Sequence, residues 1–147
     1  MLTIRRHPDP VLRVPCAPAA GDVAALAQAM LAAMYAAPGR GLAAPQVGHA
    51  IRLFVMDAHW KDGLPDPRAF RNPELVWTSE ETAVAEEGCL SIPGIPRRLR
   101  RPVACRLRFD GPGGPREERF EGLAARCALH ELDHLDGRLI LDHPAAP

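Results

Sequence analysis

Hydrophobic residues recur at helical spacing in two segments of the chain. The first repeat follows Asp22, which can cap a helix, and stops before Pro38-Gly39, so we predict a helix that ends near residues 35–37. Its apolar face comprises Val23, Leu26, Ala27, Met30, Leu31 and Met34. A second helix is predicted over residues 123–135, closed by Gly137.

Alternating apolar and polar residues predict short strands between and after these helices. They comprise residues 51–57, 72–77 and 139–141, with 82–86 as a further candidate. Residues 102–109 and 116–121 flank an Asp-Gly-Pro-Gly-Gly segment, which predicts a hairpin. The remaining segments read as an extended arm with a turn near Asp9-Pro10 (1–20), a non-helical Gly- and Pro-containing stretch (41–48) and a loop (59–71). Short strands and two helices without strand–helix–strand alternation predict an α+β fold.

Size and composition limit the classes of protein to consider. A chain of 147 residues fits one compact domain over residues 1–147. Lys+Arg 18 balances Asp+Glu 18, so no overall field favours DNA or an anionic membrane as a partner. Neither a secretory signal nor an apolar run of ~20 residues is found. The four cysteines are therefore expected to be reduced, and the protein cytoplasmic.

The second helix carries the sequence His130-Glu-Leu-Asp-His134. Two histidines four residues apart lie one turn apart on one helical face, so both imidazoles can reach one metal ion. Glu131 beside them can accept a proton from water at that metal. By itself the pattern is only moderately specific, because two surface histidines on an amphipathic helix would give the same spacing.

A third ligand would define the kind of site. Asp136 and His143 lie nearby in the sequence, while Cys89 lies in Glu-Glu-Gly-Cys-Leu-Ser, a polar-to-apolar junction from which a thiolate can project into a cleft. Two histidines with one cysteine leave a fourth position open, as catalytic metal sites do. Taken alone, Cys89 could equally be a small buried hydrophobe. Cys16, Cys105 and Cys127 are expected to fill the core or a sheet edge.

Three separated segments together resemble the motifs of the peptide deformylase family. They are Gly39-Arg-Gly41-Leu-Ala-Ala-Pro-Gln46, Glu87-Gly-Cys89-Leu-Ser91 and His130-Glu-Leu-Asp-His134, in the family's order. The likeness continues from the His7-Pro-Asp arm through Asn72-Pro73-Glu74 to Leu135-Asp-Gly137 and so spans nearly the whole chain. It implies antiparallel sheets packed around a central helix that carries the two histidines.

The resemblance also implies an activity, the hydrolytic removal of the formyl group from N-formylmethionyl nascent peptides. It assigns Cys89, His130 and His134 to one divalent metal, Fe²⁺ first, with Zn²⁺, Ni²⁺ or Co²⁺ as alternatives. A metal with three protein ligands lowers the pKa of bound water from ~15.7 toward ~7. The resulting hydroxide would attack the formyl carbon, with Glu131 as general base and then acid.

The remaining implied roles concern the substrate. The Gln46 amide and the Leu90 backbone N–H would stabilise the oxyanion. Gly41, Arg40 and Gly88 would line the path of the substrate, with Gly41 letting its backbone approach. An N-formylated peptide is the implied substrate and the ribosome a candidate partner.

The chain departs from the family pattern at several positions. Arg40 replaces a small apolar residue that lines the methionine pocket, so it could shrink that pocket or present a charge to the substrate. Pro96 stands where an arginine is usual, and Leu129 replaces a glutamine. The chain stops at Pro147 without the long C-terminal helix that some members use on the ribosome, so docking by that route is not expected.

Two interpretations outside this family are disfavoured by the sequence. An HExxH metallopeptidase would make the first two motifs coincidental, and a non-catalytic binding module would have no need of the general base Glu131. Within the family, a deformylase-like amidohydrolase with altered N-formyl or N-acyl preference remains an alternative because of Arg40. The arginines at 97, 98, 100 and 101 are expected to form a solvated strand edge, with RNA or an acidic substrate group as the functional alternative.

Overall fold

A computed structural model describes residues 1–147. Its two α-helices are α1 (Ala24–Ala36) and α2 (Gly122–Leu135). The seven strands are β1 (Gly41–Ala43), β2 (Leu53–Met56), β3 (Arg68–Thr78), β4 (Thr82–Cys89), β5 (Ile92–Pro102), β6 (Ala104–Gly111) and β7 (Gly114–Glu121). All strand pairs are antiparallel, in a five-stranded sheet of order β1-β2-β3-β6-β7 and a separate pair β4-β5. The predicted α+β class, with antiparallel sheets around the helix that carries HExxH, is confirmed.

The five-stranded sheet separates two hydrophobic cores. Alternation along β2 turns Phe54 and Met56 toward α2, where three phenylalanines stack or meet edge to edge, and turns Leu53 and Val55 toward α1. All four of these residues are buried, because helices cover both faces of this strand. The helix α2 contacts four strands of this sheet, namely β1, β2, β6 and β7.

The hairpin β4-β5 packs beside the sheet over a third, smaller core that includes Cys89, Ile92 and Leu99. Its register is interrupted near the turn, because the pairs Glu87–Arg97 and Cys89–Ile92 enclose one residue on β4 but four on β5. The extra residues, 93–96, bulge outward and include Gly94 at φ 77°. At the end of β4, Cys89 Sγ lies 3.4 Å from His134 Nε2 of α2.

Several predicted elements are confirmed with shifted bounds. The helix α1 begins one residue later than predicted, with Val23 rather than Asp22 as its N-cap residue, although the Asp22 carboxylate still accepts a hydrogen bond of 2.9 Å from the Ala24 N–H. The hairpin β6-β7 and α2 lie where the pattern placed them, and Gly137 adopts φ 74° just beyond α2. The turn near Asp9-Pro10 is a 3₁₀ turn over Pro10–Arg13.

Other expectations were wrong. Residues 139–141 do not form a strand: Ile140–Asp142 is a 3₁₀ turn, held by the Leu139 N–H donating to the Asp142 carboxylate at 2.8 Å. The predicted loop 59–71 ends early, because β3 already begins at Arg68. Residues 41–48 are not wholly irregular, since β1 is followed by a 3₁₀ turn over Ala44–Val47. Neither α-helix is long and apolar enough to cross a bilayer.

Candidate metal centre and active-site cleft

Cys89, His130 and His134 bring three ligand atoms together at the floor of a cleft. These atoms lie within 4.8 Å of one another, and Cys89 Sγ is 3.4 Å from His134 Nε2. Ligand bonds of about 2.0–2.3 Å in a tetrahedral site would separate the ligand atoms by roughly 3.3–3.6 Å. The thiol and imidazole donors therefore fit a divalent ion in both chemistry and spacing. The other candidate ligands do not join this cluster: Asp136 accepts a hydrogen bond from Arg52, and His143 contacts Asp133.

The two histidines are oriented by different surroundings. His130 Nδ1 lies 3.0 Å from a carboxylate oxygen of Glu87, so its Nε2 is left for a metal. Glu87 is buried and also accepts from Arg101, at 2.5 and 2.9 Å, and from Arg126 at 2.7 Å. His134 is almost fully buried and its Nδ1 has no hydrogen-bond partner. Glu87 thus ties a ligand on α2 to strands β4 and β5.

Burial and local charges shift the pKa values of Glu87, His130 and His134. Burial opposes ionisation of Glu87, but hydrogen bonds from His130 and Arg101 outweigh it and lower the Glu87 pKa to about 2. Burial also disfavours charge on His130, yet neighbouring Glu131 and the hydrogen bonds to Cys89 and Glu87 raise the His130 pKa to about 10. The pKa of His134 is held well below its usual value by burial and by the charge of His130. His134 is therefore a neutral imidazole, the form that ligates metals.

Glu131 lies beside the three ligand atoms and against the backbone of β1. Its carboxylate is buried, and one oxygen, Oε1, has no hydrogen-bond partner. Burial raises the pKa of Glu131 to about 7, although the charge of His130 opposes the rise. A carboxyl group that titrates near neutrality and has a free oxygen in a cleft is suited to accept and return a proton.

Gly41 creates the space that the Glu131 side chain occupies. A Cβ atom built on Gly41 would lie 2.5 Å from Glu131 Oε2 and 3.0 Å from its Cδ. The missing side chain of Gly41 thus makes room for the neighbouring carboxylate, and its predicted role toward the substrate backbone stays a prediction. Gly39 is similarly crowded by the Leu90 side chain, at 2.7 Å from a built Cβ.

The Gln46 side chain is buried beside Cys89. Its side-chain oxygen accepts from the Ala43 N–H at 2.9 Å, which fixes the amide orientation and turns Nε2 toward the site. Nε2 donates to Ser91 Oγ at 3.0 Å and lies 3.8 Å from Cys89 Sγ. A buried amide held in this way is a preorganised donor toward whatever binds beside the cysteine.

The cleft above the ligand atoms has a volume of about 450 Å³. Its lining includes all the remaining residues predicted for substrate contact, namely Arg40, Gly41, Gly88 and Leu90, together with Lys61 and the bulge residues Gly94–Pro96. Gly88 has open space around it, since a Cβ there would meet nothing within 4 Å. Leu90 lies in the turn between β4 and β5, directly after the cysteine. The predicted residues are thus brought to one cleft.

Leu129 and Pro96, which depart from the family pattern, lie in different surroundings. Leu129 is buried in the core between α2 and the sheet and does not line the cleft. The leucine that replaces the family's glutamine therefore contributes to core packing. Pro96 does line the cleft.

The expectation of a solvated arginine edge is wrong for Arg101, which is buried between Glu87 and Asp133. Arg98 and Arg100 are exposed as expected, and Arg97 is partly buried.

Comparison with known proteins agrees with this architecture. The family model for polypeptide deformylase matches residues 1–146. A peptide deformylase of Afipia carboxidovorans is 47% identical over 141 residues, which cover 95% of this chain and 80% of that protein. The crystal structure of peptide deformylase from Thermotoga maritima superposes with a TM-score of 0.92 at 42% identity, covering 100% of this chain and 99% of that one.

One further solved structure bears on the cleft. A peptide deformylase from Acinetobacter baumannii, crystallised with Met-Ala-Ser bound, has a TM-score of 0.90 at 29% identity and covers 98% of both chains. Deformylases of this family use a single divalent metal, and this chain has one cluster of Cys and His ligands that suits such an ion. By the match of its whole length in sequence and structure, the chain belongs to the polypeptide deformylase family.

Proposed function

We propose that residues 1–147 form one metallohydrolase domain in which Cys89, His130 and His134 hold the metal used to remove the formyl group from N-formylmethionyl peptides. The observation that carries this assignment is the convergence of these three ligand atoms beside the free carboxylate oxygen of Glu131. Removal of N-formyl groups from nascent peptides is the activity of the family to which the chain belongs.

The side chains around the ligand atoms would divide the reaction between them. Glu131 takes the proton of the attacking water and later delivers it to the departing amine, a role that its burial in the cleft and its unpartnered Oε1 suit. Gln46 Nε2 and the Leu90 N–H donate to the oxygen of the formyl group as it becomes negative. One such donor is typically worth about 2.7–4 kcal/mol. The products are formate and a peptide with a free amino terminus.

A bound divalent ion would polarise the formyl carbonyl and lower the pKa of water at its remaining position. We propose Fe²⁺ as the ion, with Zn²⁺, Ni²⁺ or Co²⁺ as functional substitutes. Affinity order alone would favour zinc over iron for these ligands, so occupancy depends on which metal is supplied.

Substrate contacts follow from the cleft walls. Gly88 has open space beside it for peptide backbone, and Gly41 and Arg40, which line the same cleft, are further proposed substrate contacts. The tripeptide Met-Ala-Ser, bound by the Acinetobacter baumannii enzyme, is of the size that we expect this cleft to take. Because the substrates are nascent chains and none of the four cysteines is in a disulfide, we propose a cytoplasmic enzyme that meets its substrate at the ribosome.

The test uses protein prepared without oxygen, loaded with Fe²⁺ and given formyl-Met-Ala-Ser, with released formate as the signal. Glu131→Gln should keep one metal per chain and lose roughly 10²- to 10⁴-fold in kcat, the usual contribution of a general acid–base. Cys89→Ala should lose metal and turnover together. Cleavage of internal peptide bonds would favour a metallopeptidase, and metal binding without formate release would favour a binding module.

A further inference from the structure

A chain of polar contacts runs from the metal ligand His130 to the C-terminal segment of the protein. Its first member, Glu87, lies 3.0 Å from His130 Nδ1 and accepts two hydrogen bonds from Arg101. The remaining Nη atom of Arg101 donates to an Asp133 carboxylate oxygen at 3.0 Å, and His143 Nε2 lies 2.7 Å from that same oxygen. The contacts therefore connect β4, β5 and α2 with the segment that follows the last 3₁₀ turn.

Water has little access to the members of this chain. The side chains of Arg101 and Glu87 are 6% and 5% exposed, and those of Asp133 and His143 are 16% and 19% exposed. Besides these partners Asp133 has one further cationic neighbour, Arg138, at 3.8 Å and on a side chain that is 52% exposed. Charge-assisted hydrogen bonds in such surroundings are strong, and the loss of one member leaves its neighbours unsatisfied.

One oxygen of Glu87 is shared between the arginine and the metal ligand. Oε1 lies 2.9 Å from Arg101 Nη2 and 3.0 Å from His130 Nδ1, while Oε2 accepts from Arg101 and Arg126. The position of Arg101 therefore sets the position of the oxygen that orients His130. Without the charge of Asp133, the two guanidinium groups would share one buried carboxylate. The excess positive charge would pull Glu87 from His130 and repel a divalent ion.

His143 supports Asp133 from the side of the C-terminal segment. A carboxylate can only accept, so the His143 Nε2 atom carries the proton in their contact. The His143 carbonyl accepts from Arg97 at 2.7 Å, and the preceding 3₁₀ turn is closed by the hydrogen bond from the Leu139 N–H to Asp142. The imidazole is thus held against Asp133 by contacts that do not involve the metal ligands.

We propose that Asp133 and His143 are positioning residues for the metal centre. Asp133 holds Arg101, and Arg101 in turn keeps Glu87 directed at His130. The inference rests on the proposed function, because it assigns these residues to the metal site described there. Partners that contact a metal-bound histidine directly are typically worth 10- to 100-fold in metal affinity, and we expect about 10-fold or less from groups further out.

Metal affinity is measured without substrate, by competition of zinc-loaded protein with a chelating dye. Asp133→Asn should weaken zinc binding about 10-fold and His143→Ala about 5-fold. His143→Gln keeps an N–H donor near the position of Nε2 and should bind zinc as wild type does. Arg13→Met is the matched control, since it breaks the ion pair with Asp142 in the same C-terminal segment and leaves Asp133 untouched. It should keep wild-type zinc affinity even where the melting temperature falls.

Two further readouts separate positioning from general stability. If Asp133 and His143 act through one chain, the double variant Asp133→Asn/His143→Ala should lose no more zinc affinity than Asp133→Asn alone. In cobalt-substituted protein the visible absorption bands report the geometry of the ligands. Asp133→Asn should shift these bands, and Arg13→Met should leave them in place.

Three results would overturn the proposal: unchanged zinc affinity in Asp133→Asn, losses that add in the double variant, or an equal loss in Arg13→Met. The last would assign the effect to anchoring of the C-terminal segment. The proposed function fails separately. Protein that binds zinc with the expected order of variants, but releases no formate from formyl-Met-Ala-Ser with any metal, would refute the proposed function while supporting the roles of Asp133 and His143.

Discussion

Replacing Gly41 with alanine should separate placement of the general base from metal binding. The added Cβ would lie 2.5 Å from Glu131 Oε2, whereas ordinary contact begins at 3.4 Å, so the carboxylate or the strand must move by about 0.9 Å. Neither side yields easily, because Gly41 is paired with Met56 in the sheet and Glu131 is buried. A misplacement of about 1 Å can lower a rate about 100-fold, or about 2.7 kcal/mol in the barrier.

The assay measures formate release from formyl-Met-Ala-Ser together with metal content and thermal melting. We expect kcat to fall about 100-fold in Gly41→Ala with one metal per chain retained. Gly113→Ala in the β6-β7 turn is the control, since a Cβ there meets nothing within 4 Å, and it should behave as wild type. Activity within twofold of wild type, or metal loss in proportion to activity loss, would refute the steric argument.

Three further predictions follow from the same geometry. Glu87→Gln weakens the carboxylate that orients His130, and we expect metal affinity to fall roughly 10- to 100-fold in a competition assay with a chelating dye; unchanged affinity would contradict this role. The only tyrosine, Tyr35, has its pKa raised to about 12 by burial and by Asp57, so its stabilising contribution is complete below pH 10 and is lost as the pH rises toward 12. Absorbance at 295 nm should therefore report ionisation near pH 12, and a midpoint near 10 in folded protein would exclude the buried hydrogen bond. Fe²⁺ protein should lose activity in air faster than Zn²⁺ protein, because the Cys89 thiolate and the iron both oxidise, whereas equal decay would point to a general loss of fold.

The parts of the site that are encoded locally could be predicted from the sequence. The spacing of His130 and His134 is a property of one helix, and Gly137 ends that helix by its own conformation. Cys89 could not be identified as a metal ligand from its local sequence, because its neighbours in the chain do not distinguish a ligand from a buried thiol. Only the resemblance of three motifs to one family grouped Cys89 with the two histidines. In the structure the Cys89 sulfur lies 3.4 Å from His134 Nε2.

Structural features that depend on pairing with other segments of the chain escaped prediction. Strand β5 contains three prolines and four arginines, a composition that disfavours a strand, and forms one through pairing with β4 across a tight turn. Arg101 gave no sign of burial, since its partners Glu87 and Asp133 are 14 and 32 residues away. The crowding at Gly41 also escaped prediction, because the Glu131 carboxylate beside it comes from α2, far along the chain.

The position of Lys61 bears on how this protein can be handled. It is the only lysine, and it lines the cleft next to Trp60, whose ring its ammonium group faces at 5.8 Å. Reagents that attack primary amines have only this side chain and the α-amino group to react with. Coupling to an amine-reactive resin or sensor surface would therefore fix many molecules by the mouth of the cleft and mask their activity. The same chemistry with a small fluorophore would place a reporter on a residue that lines the cleft.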